Sequence, residues 1–174
     1  IRPADSAEVS EAWRIAILRR NAPTALALTR QKVSVIDRQR FAKADGLRRG
    51  AYILADVEAP RLILIATGSE VGLALEAHEK LQAEGIATRV VSMPCWELFE
   101  EQPQEYRDQV LLPSVTARLA IEAGVRQGWD RYVGRDGDVI CLDRFGASAP
   151  GEVALRELGF NVENVLKHAR ALLK

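Results

Sequence analysis

The sequence has few of the residues that form disulfides, metal centres and redox sites. Only two cysteines and two histidines occur in 174 residues, and no two of them stand at a metal-binding or Cys-x-x-Cys spacing. Cys95 and Cys141 each stand beside apolar residues, which predicts buried free thiols in a reducing compartment. His78 and His168 fall inside predicted helices without a second ligand, so we interpret both as helix-face side chains rather than catalytic bases.

A net charge and a long apolar run are also absent. The 24 Lys and Arg residues balance 24 Asp and Glu residues, so the composition indicates no nucleic-acid partner. No apolar run reaches the roughly 18 residues that a bilayer requires, and no signal-peptide pattern occurs, so we expect no membrane partner and a cytoplasmic location. A chain that is 48% hydrophobic and 28% charged has ordinary globular composition.

The start of the chain lacks an initiator methionine. Residues 1–5 instead form a Pro-containing stretch that runs directly into a capped helix. Such a start is typical of an interior piece of a longer protein. We therefore expect a fragment whose own residues do not form a complete active site.

The first 49 residues predict a helix, a strand and a linker. Asp5 followed by Glu8 has the capping-box spacing, and the helix that follows has an apolar face made of Val9, Trp13, Ala16 and Ile17. Residues 24–28 are apolar and predict one strand, which belongs to a sheet outside this chain. Residues 38–49 are rich in charge without periodicity. We interpret them as a linker between the tail of an upstream domain, residues 1–37, and a second domain, residues 50–174.

The second domain is predicted to be an α/β three-layer sandwich around a mixed, mostly parallel sheet of about five strands, one of them antiparallel. Strands are expected near residues 51–54, 61–66, 86–93, 117–122 and 139–142. The first two are separated by only six residues, which predicts an antiparallel hairpin or meander. Helices are expected after Thr67, with Glu70 completing a capping box, at residues 95–99 and 103–111, and from Asn161 onward.

Two short stretches resemble catalytic or binding motifs without matching them. The helix start at residues 67–70 can bind a small anion, but Glu70 itself would repel one, so a structural turn and cap is favoured. Ser148 lacks the nucleophile-elbow pattern because Pro150 stands where glycine is required, which indicates a loop turning into a helix.

Aromatic and basic residues supply the remaining candidates. Trp129, Tyr132 and Phe145 have no dense basic neighbours, so we expect them to pack in a core or an interface rather than to stack on bases. Arg30 follows the predicted strand at residues 24–28, where α/β proteins present ligand-contacting groups, and arginine matches phosphate bidentately. A surface salt bridge is the alternative for Arg30.

Taken in order, the sequence resembles the C-terminal part of the transketolases, thiamine-diphosphate enzymes that move a two-carbon ketol unit between sugar phosphates. The strings that carry this resemblance are Arg2-Pro3-Ala4-Asp5 with Glu8, Ala12 and Trp13; Pro23-Thr24-Ala25 and Leu28-Thr29-Arg30-Gln31; Gly50-Ala51-Tyr52-Ile53-Leu54; Ala66-Thr67-Gly68-Ser69-Glu70-Val71; Val90-Val91-Ser92-Met93-Pro94; Glu122-Ala123-Gly124; Gly128-Trp129 with Tyr132 and Gly134; and Phe145-Gly146-Ala147-Ser148-Ala149-Pro150 before Glu163-Asn164-Val165. The last of these favours transketolase over deoxyxylulose-phosphate synthases and 2-oxoacid dehydrogenase β subunits.

The resemblance implies the end of a pyrimidine-binding domain plus the whole third domain. It implies thiamine diphosphate and Mg²⁺ (or Ca²⁺) bound elsewhere in a homodimeric enzyme of the pentose phosphate pathway or Calvin cycle. Neither a catalytic nor a cofactor-binding residue carries over to this chain. One substrate-binding residue does, because Arg30 matches the arginine of the Leu-Ser-Arg-Gln motif that binds the sugar phosphate, with Thr29 in place of serine.

Three roles for the chain remain open at this point. It is part of an enzyme active only as the intact homodimer, a separate binding module for a small anion or regulatory nucleotide, or a purely structural, dimer-supporting domain. The equivalent domain of another thiamine-diphosphate enzyme is a further alternative.

Overall fold

The computed structural model describes residues 1–174 and contains five strands and seven α-helices. The strands are Tyr52–Ala55 (β1), Leu62–Ala66 (β2), Thr88–Ser92 (β3), Arg118–Ile121 (β4) and Asp138–Ile140 (β5). The helices are Ser6–Leu18 (α1), Glu70–Ala83 (α2), Trp96–Glu100 (α3), Gln104–Val110 (α4), Asp130–Val133 (α5), Gly151–Glu157 (α6) and Val162–Ala171 (α7), and a 3-10 helix covers Ala44–Arg49.

All five strands form one sheet in the order β1-β3-β2-β4-β5. Only β1 is antiparallel, and it pairs with β3, so that Tyr52 lies opposite Ser92. The mixed sheet with one antiparallel strand is therefore confirmed. The hairpin between β1 and β2 is wrong, because β3 lies between these two strands. Their short connection determines that β1 and β2 run in opposite directions, but not that they are neighbours.

Apolar side chains cover both faces of the sheet and make a three-layer structure. Along β2, Leu62, Leu64 and Ala66 face a core that includes residues of α1, α2 and α7, whereas Ile63 and Ile65 face a core that includes Phe99, Trp129 and Tyr132. This alternation follows from the two-residue period of a strand. Every β2 residue is fully buried, which explains why its sequence is uniformly apolar.

Within this chain, helix α1 buries a side that differs from its predicted apolar face. Asp5 caps the helix by accepting from the Glu8 amide at 2.9 Å, as predicted, but the Glu8 carboxylate accepts from the Ala4 amide rather than from Asp5. Glu8 and Ala12 are the buried residues, while Trp13 is 52% and Ile17 64% exposed. Within this chain that apolar face is only partly covered, because the buried partners of Glu8 turn a neighbouring side of the helix inward.

Two features of residues 19–49 concern the predicted strand and linker. Residues 24–28 pair with no strand of this chain, so their place in a sheet outside it stays a prediction; their backbone bonds only the first residue, whose amino group donates to the Ala25 carbonyl at 2.7 Å and whose carbonyl accepts from the Ala27 amide at 2.9 Å. The segment 38–49, predicted to be a linker, packs against the second domain. It contains the 3-10 helix with Leu47 fully buried, and Arg38 donates to Tyr52 and to Asp5.

The remaining predicted elements of residues 50–174 are confirmed. Helix α2 buries Val71, Ala74, Leu75 and Leu81, and Gly85 follows it at a φ of 77°. Asn161 caps α7 by accepting from the Asn164 amide at 2.9 Å. Cys95 is buried, but Cys141 is partly exposed because β5 lies at the sheet edge, and both thiols are free. No helix is long and apolar enough to cross a membrane.

Candidate functional site

The order of the strands creates a crevice between the carboxyl ends of β2 and β4. The chain passes from β2 to β3 on one side, while β4 lies on the other side of β2. Ligands of open α/β sheets bind at such a reversal of strand order. Thr67 directly follows β2 and Glu122 directly follows β4, so both residues stand at this crevice.

Arg2 occupies the crevice. Its Nη1 atom donates to the Thr67 carbonyl at 2.9 Å, lies 3.0 Å from Glu122 Oε1 and contacts the Glu70 carboxylate. Gly68 is required beneath it, because a Cβ atom there would lie 2.7 Å from Arg2 Cζ and the backbone φ is 59°. A side chain from the N-terminal segment therefore fills the usual ligand position of the fold.

The crevice contains one cation, Arg2, and two carboxylates, those of Glu70 and Glu122. Burial raises the pKa of Glu122 to about 7, an effect that Arg2 opposes and Glu70 reinforces. Burial alone would lower the pKa of Arg2, but the hydrogen bond and the charge of Glu70 hold it above its ordinary value. An anion entering here would meet two carboxylates and would have to displace Arg2.

The helix start at residues 67–70 does not form the predicted capping box. The Thr67 hydroxyl donates to the Arg2 carbonyl at 3.2 Å, and the Ser69 hydroxyl donates to Glu70 Oε1 at 2.7 Å. These bonds join the turn to the N-terminal segment instead of capping α2. They support the interpretation of this turn as structural.

Arg30 is exposed and makes neither a hydrogen bond nor an ion pair in the structure. The turn that carries it is held by its neighbours. The Thr29 hydroxyl donates to the Gln31 carbonyl at 3.2 Å, and Gln31 Nε2 lies 3.5 Å from Ser69 Oγ. The Arg30 turn is therefore beside the N-terminus of α2, on the same sheet edge as the crevice, and its guanidinium is free to bind a ligand. The predicted alternative, a surface salt bridge, is absent.

Both histidines have structural partners. His78 Nδ1 lies 2.8 Å from the Thr88 hydroxyl, and burial lowers the pKa of His78. His168 Nδ1 lies 2.6 Å from Asp138 Oδ2 and joins α7 to β5. Neither ring lies at the crevice or at the Arg30 turn, which agrees with their interpretation as helix-face residues.

Of the aromatic and serine candidates, Trp129 and Tyr132 are buried, whereas Phe145 and Ser148 are exposed. Trp129 and Tyr132 are buried in one core, as predicted. Phe145 is 96% exposed in a surface loop at residues 143–150, so it does not pack in a core of this chain, and its packing in an interface stays a prediction. Ser148 lies in the same loop, directly before α6, with no hydrogen-bonded base.

The residues of this chain do not fit a thiamine diphosphate site. No group of three or more His, Cys, Asp or Glu side chains is placed to hold a metal ion. The crevice that could receive a diphosphate contains Arg2 together with the carboxylates of Glu70 and Glu122. No cofactor-dependent step is therefore assigned to residues of this chain.

Sequence reasoning missed Arg2 and Glu122 as the centre of the crevice. Glu122 was detectable, because it is the last residue of the predicted strand at residues 117–122 and strands of this type end at the ligand edge. Arg2 had no such signal. Its contacts span 65 or more residues of sequence and depend on how the N-terminal segment docks.

Comparison with known proteins identifies close relatives of the whole chain. Residues 50–161 match the family model described as the transketolase-like TK C-terminal domain. The chain is 57% identical over 166 residues to transketolase of Aquifex aeolicus, covering 95% of this chain and 24% of that protein. Transketolase from Leishmania mexicana superposes with a TM-score of 0.91 at 40% identity, covering 99% of this chain and 24% of that one.

A third similarity concerns a structure with a bound sugar. Transketolase of Pichia stipitis in complex with sedoheptulose 7-phosphate gives a TM-score of 0.90 at 34% identity, again over 99% of this chain and 24% of that one. The chain thus spans about a quarter of the length of the relatives it matches.

Proposed function

The chain belongs to the transketolase family, and on that premise we propose that it works as part of a longer enzyme that transfers a two-carbon ketol unit between sugar phosphates. The similarity over nearly the whole chain supports this proposal. The complex of the Pichia stipitis relative with a sugar phosphate supports the substrate class. The enzyme acts as a cytoplasmic homodimer in the pentose phosphate pathway or the Calvin cycle.

Within that enzyme, thiamine diphosphate and Mg²⁺ (or Ca²⁺) are held by parts of the protein outside this chain. The cofactor supplies the chemistry that carries the two-carbon unit. Residues 1–37 form the tail of the pyrimidine-binding domain and residues 50–174 the third domain, with residues 38–49 connecting them. The contribution of these residues is to bind substrate phosphate and to support the rest of the enzyme, not to move protons or bonds.

Arg30 anchors the terminal phosphate of the sugar substrate. The observation that carries this proposal is that its guanidinium is exposed and unpaired while the adjacent residues, Thr29 and Gln31, are tied into the turn. A cation held on an ordered turn without a carboxylate partner is available to an incoming phosphate. A charge-assisted, bidentate contact of this kind is stronger than a neutral hydrogen bond.

Replacement of Arg30 in the intact enzyme tests this role. Because one charge-assisted contact contributes about 1.5 to 3 kcal/mol, Arg30→Ala should lower kcat/KM for phosphorylated substrates by about ten- to a hundredfold. Most of the loss should appear in KM, since the phosphate is bound in both the ground state and the transition state. Steady-state kinetics with xylulose 5-phosphate measures the effect.

Two controls separate phosphate binding from damage to the fold. An unphosphorylated donor and acceptor pair, with hydroxypyruvate as donor, should react nearly as well with Arg30→Ala as with wild type. Arg20→Ala removes another exposed, unpaired arginine of the same segment and should leave kcat/KM unchanged. Equal losses for phosphorylated and unphosphorylated substrates would make Arg30 a structural residue.

The alternative of a separate regulatory module is less well supported. A nucleotide or small anion at the crevice would have to displace Arg2 and approach Glu70 and Glu122. Membership of another thiamine-diphosphate family is likewise disfavoured, because the relatives described above are transketolases.

A further inference from the structure

A second polar cleft lies at the other end of β4. Arg118 is the first residue of this strand and Glu122 directly follows its last, which places the two residues about 13 Å apart along the strand. The cleft has a volume of about 300 Å³, and only three of its ten lining residues are hydrophobic. We name it the Arg118 cleft. It is separate from both the Arg2 crevice and the Arg30 turn.

Arg118 brings an unpaired charge to this cleft. Its guanidinium is partly buried and donates to four backbone carbonyls, those of Val115, Tyr132, Leu111 and Leu112, at 2.8 to 3.2 Å. No carboxylate forms an ion pair with it. Burial lowers the pKa of Arg118, in keeping with a cation that no neighbouring anion fully compensates. The carbonyls fix the position of the group but leave its charge available.

Two buried polar atoms at the cleft have no hydrogen-bond partner. Tyr132 is 2% exposed, and its hydroxyl, although near both Glu100 and Arg131, makes no hydrogen bond. The Nε atom of Arg107 is buried and unpartnered, while the terminal nitrogens of the same guanidinium donate to Glu100 and Gln104. Buried polar groups are satisfied in the large majority of cases. Two unsatisfied donors lining one cleft therefore point to a ligand that accepts hydrogen bonds.

The charge of the lining favours an anionic ligand. Arg107, Arg118 and Arg131 face only Glu100 and Asp108, so positive charge is in excess. Asp108 already accepts from Gln104 Nε2 at 2.6 Å. Arg131 has an exposed side chain whose one ion pair, with Glu100, is long at 3.7 Å, so it is able to turn toward a ligand.

We propose that the Arg118 cleft binds a phosphate group, either as inorganic phosphate or as part of a small phosphomonoester. Arg118 and Arg131 supply the charge, and the Tyr132 hydroxyl, which has no hydrogen-bond partner in the structure, donates a hydrogen bond to the ligand. A tetrahedral phosphate accepts from donors that converge from several directions, whereas a planar carboxylate is best matched by a single guanidinium fork. The donors of this cleft come from β4, α4 and α5, which suits phosphate.

Calorimetric titration of the intact protein with inorganic phosphate at constant ionic strength tests the proposal. The titration is made with the Arg30→Ala variant, so that the contact proposed for the substrate phosphate does not contribute to the signal. Saturable binding is expected. Tyr132→Phe and Arg131→Gln should each weaken the Kd by about five- to tenfold, as expected for loss of one hydrogen bond or one exposed charge. Arg135→Gln, which removes an exposed and unpaired arginine nearby, should leave the Kd unchanged.

Thermal unfolding provides a second measurement, in which loss of phosphate binding can be told apart from loss of protein stability. The Tyr132 hydroxyl bonds nothing in the structure, so Tyr132→Phe should keep the Tm of the phosphate-free protein or raise it, while losing most of the increase that phosphate causes.

Three results would overturn the proposal. If the heat of binding does not saturate during the titration, the cleft has no phosphate site. If neither Tyr132→Phe nor Arg131→Gln changes the Kd, the phosphate binds elsewhere. Acetate binding as tightly as phosphate would make the cleft a carboxylate site.

Discussion

Residues 1–49 and residues 50–174 are held in place by different forces. The domain at residues 50–174 buries apolar side chains on both faces of its sheet. The first region adds only a few apolar residues to that core, among them Ala12, Ile36 and Leu47, and leaves five large apolar side chains exposed, namely Trp13, Ile17, Leu18, Leu28 and Val35. Its attachment therefore depends more on buried polar contacts, which position the N-terminal segment and hence Arg30.

Glu8 is the centre of that attachment. It is fully buried and accepts from the Tyr52 and Ser92 hydroxyls, both at 2.7 Å, and from the Ala4 amide at 2.8 Å. Burial raises the pKa of Glu8, while these hydrogen bonds oppose that shift. One carboxylate thus joins α1 to β1 and β3. Arg38 adds a second polar connection through Tyr52 and Asp5.

The largest effect on this comparison is expected from Glu8→Ala. The change leaves two hydroxyls and one amide without their acceptor, so the free energy of unfolding should fall by about 3 kcal/mol. Denaturant unfolding measures the loss, and limited proteolysis should cut the variant faster within residues 38–49.

Glu11→Ala is the matched control, because Glu11 lies on the same helix and forms a surface ion pair with Arg48. Its cost should stay below about 1 kcal/mol. If the two variants lost equal stability, the buried carboxylate would not be what distinguishes the attachment of residues 1–49.

A smaller effect is expected from pH at the Arg2 crevice. The pKa of Glu122 is about 7 in the folded protein, above that of an ordinary glutamate at 4.5. Between these two values the folded state holds a proton that the unfolded state has released, so this group's contribution to stability falls as pH rises from 4.5 to 7. The loss should be on the order of 2 kcal/mol, since partial solvent access reduces the value of about 1.4 kcal/mol per pKa unit.

Glu122→Gln isolates this contribution because its amide does not titrate. The difference in unfolding free energy between variant and wild type should change across pH 4.5 to 7 and be constant above about pH 8. Parallel curves over the whole range would show that Glu122 ionises like an exposed glutamate.

The smallest effects are expected from Ser69→Ala and Ser148→Ala. Ser69 bonds the adjacent Glu70 carboxylate, and Ser148 lies in an exposed loop. Each change should cost about 1 kcal/mol or less in stability and leave the turnover of the intact enzyme unchanged. A hundredfold fall in turnover, with circular dichroism unaltered, would assign a catalytic role to the serine.

The sequence predicts most of the domain at residues 50–174 because its signals are local. The strand β2 and the start of α7 at Asn161 are each determined by neighbouring residues, and the structure confirms both. Local sequence does not determine that β1 pairs with β3, because the six-residue connection between β1 and β2 allows β1 to pair with more than one strand. The same holds for α1, whose buried side depends on Glu8 meeting Tyr52 and Ser92 far along the chain.

The candidate site divides in the same way. Arg30 was detectable from its position after an apolar stretch and from the family motif, and the structure leaves its guanidinium free. The Arg2 crevice and the Arg118 cleft were not detectable, because each combines side chains that are distant in sequence. Contacts between residues that are far apart in the chain leave no periodic or compositional pattern in a single sequence.

The role of Arg30 is tested most directly by the structure of the intact enzyme with a bound sugar phosphate. The Arg30 guanidinium should lie within hydrogen-bond distance, about 3 Å, of the phosphate oxygens. The turn carrying Arg30 should remain beside Ser69, as it is here. A phosphate bound entirely by other residues, with Arg30 pointing into solvent, would contradict the central claim that the N-terminal segment of this chain carries the substrate contact.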